Sequence, residues 1–217
     1  MLYNQEMRNI LDIYKQYKIP ENLQLHQLRV ASVAKILAQA CIKERLPVET
    51  IVEACLLHDM GNIVKFKFEQ FPEFFELEGL EYWQNIQKEF IEKYGNDDHL
   101  ATLAIVGEIG LPREISLYVD HIIGDRVEAI TDPIVGVVIA KYADVRVGPK
   151  GVMSLHVRLE DFRTRYVGRI SDEYVDNTIL VFEEAEKDIF EYVSMKPEDI
   201  TDALIAPIIE ELKKIEL

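Results

Sequence analysis

The chain of 217 residues has little of what usually makes an activity legible. It has two cysteines, Cys41 and Cys55, and no Cys-x-x-Cys. Both lie in apolar-periodic stretches, so they read as reduced core thiols of a cytoplasmic protein rather than a disulfide framework. There is no glycine-rich phosphate loop followed by Lys-Ser/Thr, and no Gly-x-Ser-x-Gly, which sets aside P-loop enzymes and nucleophile-elbow hydrolases. Glycine (10) and proline (8) are too few for a linker protein, and a hydrophobic fraction of 48% is too high for a disordered one. The longest strongly apolar run, 134–140, is far too short to span a bilayer. The opening MLYNQEMRNILDIYKQYK has no continuous apolar core and no small-residue cleavage site, so a secretory signal is not expected. Positive charge is scarce as well: 24 Lys+Arg stand against 39 Asp+Glu, a net charge of −15. That balance argues against a nucleic-acid coat and against adsorption to anionic membranes. It leaves a small anionic substrate open, because local charge decides that.

What the chain does have is helical periodicity. Apolar residues recur near every 3.6 positions almost throughout, and strand-like alternation is scarce. Helices are expected at 2–18, 22–45, 48–59, 72–78, 80–94, 98–109, 112–123, 133–147, 154–167, 171–194 and 197–215, the last kinked or split at Pro207. Pro72, Pro112 and Pro133 fall in first turns, and Gly95, Gly110 and Gly124 just past helix ends. No repeat or low-complexity linker interrupts the pattern. The expected fold is all-α, a single-domain helical bundle over residues 1–217.

The polar residues inside the apolar faces carry the functional signal. His26 shares a face with Val30, Val33, Leu37 and Cys41. His58 continues the face of Ile51 and Cys55, His99 aligns with Leu103 and Val106, and His121 with Leu117 and Tyr118. Asp144 lies on the face of Val137, Ala140 and Lys141. A single histidine on such a face is ordinarily a hydrogen-bonded core residue. Four on four helices, with Asp59 and Asp144 among apolar neighbours, ask for a compensating cation. A divalent metal supplies it, and imidazole and carboxylate are suitable ligands. His58 and Asp59 are adjacent, so they diverge by about 100° around a helix and can approach one metal from two directions, or let the aspartate bridge two.

HxxRVASVAKILA from His26, VEACLLHDMGN from Val52 and KYADVRVG from Lys141 together resemble the HD-domain superfamily, over about residues 22–167. The resemblance implies an all-α bundle with a metal site between helices and, as the usual activity, metal-dependent phosphohydrolysis, often of nucleotides. The matching ligands are His26, His58, Asp59 and Asp144. DHLATLAIVGEIGLP and YVDHIIGD resemble the third and fourth histidine segments of two-metal members, adding His99 and His121 in the order H-HD-H-H-D. A binuclear site would then place His26, His58, Asp59 and Asp144 on one metal, and Asp59, His99 and His121 on the other, with the reactive metal-bound water held by Asp59. The alternative for the last two histidines is to line a mononuclear pocket and touch substrate. The implied cofactor is one or two divalent ions, Fe, Mn, Zn, Ni or Mg. Many members carry HDxGK, whose lysine contacts phosphate; here that position is Asn62, which reads equally as a plain turn residue.

For a phosphorylated substrate the candidate cations are Arg29, one turn from His26, Lys65, and Arg146 and Lys150 after Asp144. Residues 141–169 hold seven basic and three acidic residues, a positive stretch inside an acidic chain. His156 falls outside the ligand pattern, as surface or outlying support. Residues 171–217 carry 14 acids and 4 bases and offer Ile179, Phe182, Ile189, Leu204, Ile208 and Leu212 for packing, either as a cap on the bundle or as a homodimer seam. Two other functions fit the same residues: a di-iron oxygenase resembling myo-inositol oxygenase, and a nucleotide-binding module without catalysis.

Overall fold

Helix α2 (Glu21–Ala40) organises the molecule, because small and branched apolar residues surround most of it: Leu23, Leu28, Val30, Ala31, Val33, Ala34, Leu37 and Ala38 are all buried. A helix apolar over so wide an arc has to be wrapped by others. In the computed structural model, which describes residues 8–70, 72–122, 130–166 and 171–217, α3 (Val48–Leu57) packs most extensively against it. Helix α1 (Ile10–Gln16) precedes α2. After α3 come α4 (Leu80–Tyr94), α5 (Asp98–Ile109), α6 (Arg113–Ile122) and α7 (Val135–Arg146). A two-residue hairpin, β1 (Val147–Gly148) and β2 (Gly151–Val152), leads into α8 (Leu155–Tyr166), α9 (Asp172–Tyr192) and α10 (Asp202–Leu212). Gly124, read above as a helix stop, and Arg169 of the basic stretch lie outside the described residues.

The fold is all-α, built around one hydrophobic core. Helices α7 and α10 join α3 against α2, and α6 closes over α3. Beneath the chain between α3 and α4 sits a cluster of aromatic edges, with Phe68 and Phe75 centroids 4.8 Å apart and Phe75 and Trp83 6.1 Å apart. Gln87 of α4 donates to the carbonyls of Ile63 and Phe66 at 2.8 and 3.0 Å, fixing that chain to the bundle. The two ends of the described chain are clasped: Arg8 N–H donates to Leu217 O and Leu217 N–H to Arg8 O, each at 3.0 Å, and Ile10 N–H to Ile215 O at 3.1 Å. The Asn9 side chain adds a bond to Lys213 O at 3.1 Å. Among the described residues no helix is long and apolar enough to cross a membrane.

Several helices depart from the periodicity. Helix α2 ends at Ala40 rather than near 45, because Cys41 leaves helical geometry and pairs with Val193 in an isolated bridge. Residues 72–75 form only a 3-10 turn. The last helical segment divides near residue 200, not at Pro207: Pro197–Asp199 is a 3-10 turn, and the Thr201 hydroxyl caps α10 by accepting from Leu204 N–H. Pro207 sits inside α10, exposed, on the side where the hydrogen bond it forfeits costs least. The packing face of α10 meets the expected one at Leu212 and is one residue out of phase before it. Ile205, Ile209 and Leu212 are buried, Ile208 is half-buried, and Leu204 is 41% exposed. In α9, Phe182 and Ile189 are buried as expected and Ile179 is half-buried. These acidic helices therefore serve as walls of the bundle.

Candidate metal centre

Three helix-borne segments converge at one point. His26 comes from the second turn of α2, His58 and Asp59 from the end of α3, and Asp144 from the last turn of α7. Their pairing follows from the packing of α2, α3 and α7 on one another. His26 Nε2 lies 3.3 Å from Asp144 Oδ1 and 3.7 Å from Asp59 Oδ2. His58 Nε2 lies 3.6 and 3.7 Å from the same two oxygens. The two rings are 5.5 Å apart and tilted by 48°, so they converge rather than stack. Donor atoms of His26, His58 and Asp59 all fall within 4.8 Å of one another.

These separations decide between two kinds of contact. Most exceed a good hydrogen bond, for which N···O is about 2.7–3.2 Å. Two donors roughly 2.1 Å from one metal in a tetrahedral arrangement lie about 3.4 Å apart. The observed spacing fits the second. The chemistry agrees: His58 is 1% exposed, and its Nε2 has no hydrogen-bond partner. Its other nitrogen, Nδ1, is 2.7 Å from Cys55 O, which requires Nδ1 to carry a hydrogen, so in the neutral ring the lone pair is on Nε2, facing the carboxylates. That is the tautomer a metal-binding histidine needs. The Cys55 carbonyl is available because it belongs to the unpaired last turn of α3.

The electrostatics favour positive charge at this point. Burial alone would lower the pKa of His58, but the carboxylates of Asp59 and then Asp144 outweigh it and raise it to about 9. Burial pushes the Asp144 carboxyl up, yet the Lys141 ammonium, followed by the two imidazoles, holds it well below the usual carboxylate range. Lys141 is buried and donates to Asp144 Oδ2 at 3.2 Å, so one oxygen of Asp144 faces the imidazoles and the other faces the lysine.

Asp59 is held from both ends. Its main-chain N–H donates to Gln27 Oε1 at 3.2 Å, and its Oδ2 accepts from Asn62 Nδ2 at 2.7 Å. The next residue but one, Gly61, leaves no room for a side chain: a Cβ there would lie 2.5 Å from Thr102 N and 2.7 Å from Asp98 O. Gly61 N–H donates to Thr102 Oγ1 at 2.9 Å, locking the turn to the first turns of α5. Gln27 carried no signal in the sequence beyond standing next to His26.

The other sequence candidates lie in different surroundings. His99 Nε2 is 2.7 Å from Asp120 Oδ1, and His121 Nδ1 is 2.7 Å from Asp132 Oδ2. His121 was expected on an inward face with Leu117, but Leu117 is 46% exposed and the buried residues of α6 are Ile115, Val119 and Ile122. Its side chain is 42% exposed. Asp120 and Asp132 were not singled out in the sequence, although Asp120 is adjacent to His121. Arg29 Nε lies 3.7 Å from Asp202 Oδ1 of α10, and Lys65 Nζ 2.6 Å from Asp98 Oδ2. Arg146 is buried, and its guanidinium donates to Met153 O, Tyr142 Oη and Pro197 O. Those bonds commit it to holding the hairpin and the 197–199 turn. Lys150 is exposed in the hairpin turn, and His156 is exposed on α8.

No family model matches the chain, and neither the curated proteins nor the solved structures include a significant match.

Proposed function

We propose that the chain is a metal-dependent phosphohydrolase of the HD-superfamily kind, acting on a small phosphorylated substrate, with nucleotides the first class to test. The observation that carries the proposal is the buried, unpartnered Nε2 of His58, converging with His26 Nε2 on two carboxylates at 3.3–3.7 Å. An unpaired buried acceptor costs about 1–3 kcal/mol, which a ligand bond recovers. A divalent metal at this point supplies Lewis acidity, lowering the pKa of a water it binds and offsetting charge on phosphoryl oxygens.

The protein's own groups have separable tasks. His26 and His58 present neutral nitrogen donors from α2 and α3. Asp59 and Asp144 provide the charge that retains a dication in a half-buried site. Lys141 keeps Asp144 turned so that one oxygen only faces the imidazoles. Gln27 and Asn62 fix the Asp59 backbone and carboxylate, and Gly61 anchors the whole turn to α5. Arg29 and Lys65 are the cations offered to the substrate; Arg29 faces Asp202 and Lys65 faces Asp98, carboxylates that a phosphate oxygen would replace. His99 and His121 remain candidates for a second ion, which would have to draw them away from Asp120 and Asp132.

The test is metal quantification on the purified protein together with a screen of nucleotides and phosphoesters under Mn²⁺, Zn²⁺, Mg²⁺, Ni²⁺ and Fe²⁺. We expect about one ion per chain at the first site and phosphate release that chelation abolishes. Absence of bound metal, with no activity restored by any of the five ions, overturns the proposal. A di-iron centre with oxygen-dependent turnover and no phosphate release replaces it with an oxygenase.

A further inference from the structure

Asn62 stands where the resembling family commonly has a lysine, and its amide is constrained in a way that a plain turn residue would not need. A carboxylate only accepts hydrogen bonds, so the group facing Asp59 Oδ2 at 2.7 Å must be the Asn62 NH₂. That oxygen is the one 3.7 Å from both His26 Nε2 and His58 Nε2. The orientation forced on the amide turns its other end, Oδ1, into a fixed acceptor, and this oxygen is buried with no partner. Covalent geometry keeps the two ends of one amide about 2.3 Å apart, so Oδ1 lies within about 5 Å of the Asp59 oxygen that faces both imidazoles. The turn bearing the amide cannot drift, since Asn62 N–H donates to Asp59 O at 3.0 Å and Gly61 is clamped on Thr102.

We propose that Asn62 is a positioning residue with two functions: its NH₂ aims the Asp59 carboxylate at the metal, and its Oδ1 accepts a hydrogen bond from a water bound in the metal's open position. The proposal rests on the metal-centre reading above. It explains why an amide serves here. A lysine has three donors and no acceptor, so it could hold Asp59 but could not receive a proton donor. A leucine could do neither.

Two variants separate this from a role in folding alone. Asn62→Leu removes both the donor and the acceptor, and it should weaken Mn²⁺ binding about 10- to 100-fold, the usual loss when a ligand's hydrogen-bonded support is removed. Asn62→Asp adds a second carboxylate beside Asp59, whose repulsion in the metal-free protein is relieved by a dication. It should bind Mn²⁺ at least as tightly as the parent and, because a carboxylate oxygen still accepts a hydrogen bond, keep at saturating metal the turnover of p-nitrophenyl phosphate that Asn62→Leu loses. Calorimetric titration with Mn²⁺ alone reads the affinities, and circular dichroism melts confirm that both variants are folded. Weakened Mn²⁺ binding in Asn62→Leu together with turnover kept in Asn62→Asp supports the proposal, because a merely structural role would not depend on whether an acceptor remains; turnover lost equally in both overturns it. A folded Asn62→Leu whose affinity lies within twofold of the parent overturns it. If the parent itself binds no divalent ion, it is the metal-centre reading that fails, and the two failures are thereby distinct.

Discussion

Two pairs of histidines, equivalent in the sequence, are in opposite chemical states in the fold. His26 and His58 face carboxylates at 3.3–3.7 Å, with one nitrogen of His58 tied to a main-chain carbonyl and the other left over. His99 and His121 each spend a ring nitrogen on a single carboxylate at 2.7 Å. Burial sets apart the extremes and not the pairs: the His58 side chain is 2% exposed and that of His121 42%, while His26 and His99 are alike at 20% and 17%. An imidazole already paired with a carboxylate gains less from a metal. One buried, correctly tautomerised and unpaired gains a great deal. In the first pair His58 keeps a buried nitrogen without a hydrogen-bond partner; in the second each histidine already has a carboxylate at 2.7 Å.

The largest expected effect tests that contrast directly. Asp59→Ala and His99→Ala should differ in Mn²⁺ or Zn²⁺ affinity by at least about 100-fold, the aspartate variant being the weaker, as read by calorimetry on chelator-treated protein. Equal losses would show that both pairs hold the same metals and would erase the distinction. Next comes Gly61→Ala, which puts a methyl group against the backbone of α5. It should cost about 2–3 kcal/mol in denaturant unfolding and weaken metal binding too, because the Asp59 turn must move. A smaller effect belongs to His121→Ala: its exposed pair with Asp132 should be worth less than about 1 kcal/mol.

The smallest prediction concerns Glu108, on the same helix as His99. Burial raises its pKa, but hydrogen bonds from Lys93 and Tyr94 outweigh that and leave it lowered. A lowered carboxyl stabilises the fold above its unfolded pKa and loses that contribution as pH falls through the folded value. The parent should therefore lose slightly more stability than Glu108→Gln between neutral pH and pH 3. The difference should stay within about 0.5 kcal/mol, because the pair is largely exposed. An identical pH dependence in the two proteins would show that the carboxylate is energetically silent.

Much of the centre could be read from residue types and helical period, for a physical reason. His26, His58 and Asp144 stand on strongly apolar helices, where a polar side chain is conspicuous. The same logic misled for His121, since α6 has apolar residues on more than one side and its buried stripe runs through Ile115, Val119 and Ile122 instead. It misled again in α10, where every residue from Ala203 to Ile209 is apolar and the pattern cannot fix the phase to within one position. Arg146 illustrates a different limit. Its nearness to Asp144 in sequence suggested substrate binding, but Met153 O and Pro197 O, which claim it, come from chain that only folding brings close. Gln27 and Asn62 were obscure for the same reason: an amide's value depends on which donor and acceptor meet it.

The clasp between residues 8–10 and 215–217 bears on the order of assembly. Its Asn9–Lys213 bond joins residues 204 apart, and closing a flexible loop of that length costs about 5 kcal/mol in chain entropy by logarithmic scaling. Such a contact forms only after shorter-range packing has brought the ends together. On a ribosome, α2, α3 and α7 emerge well before α10, so the four candidate ligands can gather while the bonds between residues 8–10 and 215–217 are still unmade. The convergence of His26, His58, Asp59 and Asp144 and the making of the clasp are thus separable events in folding.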